Sequence, residues 1–206
     1  IGYRTQIIVS ILGSIISMYC SKLLGKAEIL ISFLFVFFTI SALGYYRALL
    51  QGSSIAFFDV IGKRVGLTLS IYDFLVDRFW IFGVTKLSVL LASFSSFISF
   101  VPGPRFGPRT IVANIYGVTD VSITSTLYGT VILDLGILGI ILFSLILGFV
   151  LGLAYVAMKR TKTAVSIGIF SLFLAYTLVG IETGLVDFNV LMFFMIGSLI
   201  LIRSIR

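Results

Sequence analysis

The chain has 206 residues, 59% of them hydrophobic and only 11% charged, with 15 lysines and arginines against 8 acidic residues. Soluble domains carry roughly 25% charged residues, so this composition excludes a globular domain with a large core and predicts an all-α integral membrane protein. In such a chain the net charge of +7 reports membrane topology and an anionic ligand, not nucleic acid.

A bilayer-crossing helix needs about 20 apolar residues, and the chain offers about five such stretches, at 6–22, 29–46, 136–158, 164–181 and 188–202. They group as two helices in 1–46, a long extracytoplasmic loop in 47–135, and three helices in 136–206. The chain opens at Ile1 without an initiator Met or a signal-peptide pattern, which reads as a piece of a longer protein with earlier helices. With no histidine and a single cysteine, Cys20, inside an apolar run, the sequence supports no metal site, disulfide framework or Ser/His/Asp catalysis, and no cofactor is expected.

Basic residues set the orientation. Lys22, Lys26, Lys159, Arg160, Lys162, Arg203 and Arg206 fall together on one face if the helices alternate, and the positive-inside rule makes that face cytoplasmic, C-terminus included. The long loop is then outside. Within it, 59–78 is too charged to span and too apolar to float free, so it lies on the outer surface over the bundle. The stretch 79–101 is long enough to span but carries Lys86 and serines at 88, 93, 95, 96 and 99; it reads as a re-entrant or interface-lying helix.

The loop then reaches PGPRFGPR at 102–109, which holds all three prolines and predicts a non-helical segment with Arg105 and Arg109 close together. Arg4, Arg47, Arg64, Arg78, Arg105 and Arg109 all fall on the outer side, against the positive-inside bias. A guanidinium binds phosphate with a planar fork that never loses its charge. The plainer alternative pairs these arginines with Asp59, Asp73, Asp77 or Asp120 or sets them against anionic headgroups, and Arg78 is expected to pair with its neighbour Asp77. Among the acids, Glu182, Asp187 and Asp134 could each take a proton from a hydroxyl or cap a helix N-terminus, and for Asp134 and Asp187, each just ahead of an apolar helix, capping is the stronger expectation. Gly148 and Gly152 form a small-residue pair suited to close helix packing.

Several of these patterns resemble the archaeal and bacterial O-antigen polymerase family: GYRTQII at 2–8, KRVGL at 63–67, and GPRTIVANIYGV at 107–118 running into STLYGTVILDLGILGIILFSLILGFVLG at 125–152. Asp134-Leu135-Gly136 with Gly139 takes the place of that family's aspartate-aromatic-glycine segment, with leucine for the aromatic. The resemblance implies a metal-independent glycan polymerase in the cell membrane, working at its outer face. Such an enzyme moves a growing chain from a polyprenyl pyrophosphate to a hydroxyl of the next lipid-linked repeat unit. It implies Arg4, Arg64, Arg105 and Arg109 as pyrophosphate ligands, Glu182 as general base, and lipid and other polysaccharide-assembly membrane proteins as partners. A transporter or flippase of a lipid-linked or anionic substrate accounts for the same helices and arginines without catalysis.

Overall fold

The computed structural model describes residues 2–50, 56–79, 83, 85–104, 106–118, 123–124 and 126–205, without the side chains at 2–4, 40, 43–44, 47–48, 60, 64 and 205. The described residues form eight helices: α1 (Gly2–Cys20), α2 (Lys26–Leu50), α3 (Phe57–Phe79), α4 (Ser88–Ser95), α5 (Pro108–Tyr116), α6 (Thr126–Thr161), α7 (Ala164–Thr183) and α8 (Phe188–Ile205).

Helices α6 and α7 are both long and apolar enough to cross a membrane, and α1 and α8 contain shorter apolar segments. The most apolar window of α6 is only 11% buried against the rest of the chain. A core helix of a soluble protein would be mostly buried. Here Leu138, Leu145, Ile146 and Phe149 are each more than 60% exposed, and a surface of that kind needs lipid or further protein to cover it.

Two packing units hold the helices. In the first, α7 runs between α1, α6 and α8. Gly13 of α1 lies under Leu172, and Gly197 of α8 under the Phe173 ring, so each glycine lets a neighbouring helix approach where a β-carbon would collide. Phe173 is fully buried and stacks on Phe194 at 4.4 Å. Ala154 and Ala157 of α6 complete this contact with Leu201. The expected glycine pair does not take part: a β-carbon on Gly148 or Gly152 meets nothing within 4 Å, because this part of α6 turns an open face outward.

The second unit is built round the start of α6. Ile71 and Leu75 of α3, Val89 of α4, Val112 of α5 and Leu133 of α6 form one buried cluster. Helix α3 therefore packs one apolar face inward while Asp59, Lys63, Asp73 and Asp77 stay exposed, as its mixed composition predicts. Arg78 lies over the Phe74 ring at 5.0 Å instead of pairing with Asp77.

Helix α6 begins ten residues before its expected start and changes character at Gly136, whose φ of 59° and ψ of −141° break the helical path. Before the break, residues 129–134 are buried; after it, the helix is exposed on most sides. Three further boundaries differ from the sequence reading. Pro108 and Arg109 are not in an irregular loop but start α5, since proline suits the first helical position. Glu182 belongs to the last turn of α7. Among its described residues the stretch 79–101 holds the end of α3 and the eight-residue α4, which is about 12 Å long at ~1.5 Å per residue and too short to span.

Candidate functional site

A cavity of about 230 Å³ opens where the first turn of α1, the end of α4, the start of α5 and the α7–α8 turn meet. Its wall includes Thr5, Gln6, Ser93, Ser96, Phe97, Arg109, Tyr176, Thr183, Asp187 and Asn189. Because α1 and α7 pack antiparallel, the N-terminal turn of one and the C-terminal turn of the other fall at the same end.

Arg109 is the cation among the described residues that line this cavity. Its Nη2 donates to Oδ2 of Asp187, 78 residues away, and the two side chains are 24% and 35% exposed. The pair is therefore half-buried on the cavity wall and still reachable. Two helix N-termini border it: Gly107, Pro108 and Arg109 at the head of α5, and Asp187, Phe188, Asn189 and Val190 at the head of α8. Gly107 has no side chain with which to cap α5. Unpaired N–H groups and the helix dipole both favour an anion at such ends.

Helix α4 ties the cavity wall together. Ser93 donates its hydroxyl to the Val186 carbonyl in the α7–α8 turn, and Ser95 donates to the Pro104 carbonyl in the proline loop. Behind α4 stands Asp134, 6% exposed. Its Oδ1 accepts from the Thr85 hydroxyl at 2.6 Å and the Val89 N–H at 3.0 Å, and its Oδ2 accepts from the Leu90 N–H at 2.8 Å. The residue before α4, Leu87, is left-handed at φ 69° and offers no side-chain cap. Asp134 thus caps a helix, but α4 and not the apolar helix next to it in sequence. Gly83 lies so close to the Asp134 carbonyl that a β-carbon there would collide with it.

Of the residues singled out from sequence, Arg109 reaches the cavity. The side chains of Arg4 and Arg64, and the whole of Arg105, lie outside the described residues. Glu182 is half-buried and is not among the side chains lining this cavity. Asp187, expected to cap α8 in preference to taking a proton, stands at the head of that helix and also gives its carboxylate to Arg109. No local pattern links Arg109 with Asp187; the sequence signal was an arginine in a proline-rich segment with no acid nearby, and an aspartate just ahead of an apolar helix.

The model of the family described as "Putative O-antigen polymerase" matches residues 1–194. The chain belongs to the O-antigen polymerase family. Over 205 residues it is 33% identical to an uncharacterized protein of Methanocaldococcus jannaschii, covering 100% of this chain and 55% of that relative. The chain thus spans about half the length of the curated relative it matches. No solved structure matches it. Together with the apolar helices, membership of the O-antigen polymerase family points to a membrane protein.

Proposed function

We propose that this chain forms the pyrophosphate-binding part of a repeat-unit polymerase, a glycosyltransferase that uses a polyprenyl-pyrophosphate-linked oligosaccharide at the outer face of the cell membrane. The observation that carries this reading is Arg109, half-buried on the cavity wall at the meeting point of two helix N-termini. A departing diphosphate gains charge as the sugar transfers, and fixed donors aimed at that charge stabilise the transition state. Arg4, Arg64 and Arg105 join Arg109 in the proposal as further phosphate ligands. The chain crosses the membrane with α1, α2, α6, α7 and α8, while α3, α4 and α5 lie over the bundle on the outer side.

The broken helix at Gly136 is a feature that transporters share. Residues 137–161 alone are roughly 37 Å long at about 1.5 Å per residue, against a hydrocarbon core of about 30 Å. The break therefore falls at the end of a full-length span, which supports chemistry at the surface over passage through the middle.

The test is glycan chain length in cells carrying the intact gene with Arg105→Lys or Arg109→Lys at matched membrane expression. Lysine keeps the charge and loses the fork. Loss of long chains, with single repeat units still reaching the outer face, is the expected result. Failure of single units to reach that face would favour the transporter, and unchanged chains would remove these arginines from the site.

A further inference from the structure

We infer that Asp187 occupies the seat of a phosphate oxygen on Arg109 and, once the donor displaces it, is the carboxylate that takes the proton from the acceptor hydroxyl. This rests on the proposed polymerase reading. In the cavity Arg109 is already answered by a carboxylate. The contact is single-point, Nη2 to Oδ2, although a guanidinium offers five N–H donors arranged to bind an anion through two of them. A diphosphate, with several oxygens and more than one charge, competes well for that fork and for the N-termini of α5 and α8.

Displacement would not remove Asp187 from the cavity, because its backbone is held on both sides. Upstream, Val186 is buried and its carbonyl is bonded to Ser93. Downstream, the Asp187 carbonyl accepts from the Leu191 N–H at 3.0 Å, which fixes it as the first residue of the α8 ladder. Only the side chain is free to turn. A carboxylate released from Arg109 therefore stays beside the bound diphosphate, where the second substrate must bring its hydroxyl.

The step then balances. The acceptor hydroxyl oxygen bonds to the anomeric carbon of the donor sugar. The bond from that carbon to the diphosphate oxygen breaks, its electron pair leaves on the diphosphate, and the hydroxyl proton passes to the Asp187 carboxylate. Glu182, in the last turn of α7 at this end, does not line this cavity.

The experiment uses membranes containing the intact protein, with a polyprenyl-diphosphate-linked repeat unit as probe, and reads donor affinity separately from turnover. Asp187→Asn keeps the shape and an acceptor oxygen for Arg109 but cannot take up the proton. It should hold the donor at least as tightly as the wild type, while turnover falls by about 10²- to 10⁴-fold, the usual worth of a general base. Arg109→Ala should lose donor affinity. The exchanged variant, Arg109→Asp with Asp187→Arg, restores an ion pair and should stay inactive; recovered activity would make the pair a structural strut and overturn the inference. Wild-type turnover by Asp187→Asn, or donor binding lost as in Arg109→Ala, would overturn it too. Loss of turnover in Glu182→Gln with Asp187→Asn active would move the role to Glu182. If neither Arg109→Ala nor Asp187→Asn changes binding or turnover, the cavity is not the active site and the polymerase reading of it falls as well.

Discussion

At the scale of single residues, Asp134 decides more than its position in the chain implies. Helix α4 begins from two left-handed residues, Lys86 at φ 45° and Leu87 at φ 69°, a conformation that costs roughly 1–2 kcal/mol for a side-chain-bearing residue. Something must hold them there. The Asp134 carboxylate does so by accepting the second and third N–H groups of α4, with the Thr85 hydroxyl as a third donor. Hydrogen bonds to a charged group are worth about 1.5–3 kcal/mol each. Asp134→Ala should therefore destabilise the fold, and it should do so locally: amide exchange at Val89 and Leu90 rises well before that of α7. Equal protection in the variant would show that α4 holds its place without the carboxylate. From sequence, capping was the right chemistry for Asp134 and the wrong helix. Cap preferences are local rules, whereas the helix that Asp134 serves lies 45 residues upstream and is reached only because α6 and α4 pack together.

At the scale of elements, α6 is two helices joined at Gly136. A φ of 59° with ψ of −141° is a region that only glycine occupies without strain. Gly136→Ala should cost about 1–3 kcal/mol, and the lost temperature stability of the purified protein in detergent measures it. Gly148→Ala makes the matched control on the same helix. Nothing stands within 4 Å of the added methyl group, and alanine favours a helix interior by about 1 kcal/mol over glycine, so stability should hold or rise. A fall of the same size in both variants would mean that helix disturbance in general, and not the Gly136 geometry, is being measured. Hydropathy placed the apolar half of α6, α7 and α8 to within a few residues, because apolar length is written directly in composition. It missed the first ten residues of α6. That segment carries Gly129, Thr130 and Asp134 and reads as loop; it is helical because α3, α4 and α5 bury it on several sides. The start of α5 was missed for a different reason. Proline is excluded from helix interiors but favoured in a first turn, and only the packing of residues 109–116 decides that a helix starts at Pro108.

At the scale of the molecule, the antiparallel order of α1, α7 and α8 sorts the charges. The cavity with Arg109 and Asp187 lies at the end where α1 and α8 start and α7 finishes. Lys159, Arg160 and Lys162 sit at the α6–α7 turn at the opposite end, where the Thr163 hydroxyl caps α7 by accepting from the Ser166 N–H. Leu201 near the end of α8 packs against Ala154 and Ala157, so Arg203 belongs to that end as well. A basic end and a cavity end are what the positive-inside rule turns into a cytoplasmic and an outer face. Asn189 and Lys162 are both exposed and mark the two ends. In the intact protein with every native cysteine replaced, Cys20→Ser among them, Asn189→Cys should react with a membrane-impermeant maleimide on whole cells, and Lys162→Cys only after permeabilisation. The reverse pattern would keep the fold and put the cavity on the cytoplasmic face, where a donor delivered to the outer leaflet could not reach Arg109. Labelling of both positions from outside would be incompatible with α7 crossing the membrane, and the surface-chemistry reading would lose the span on which the cavity is built.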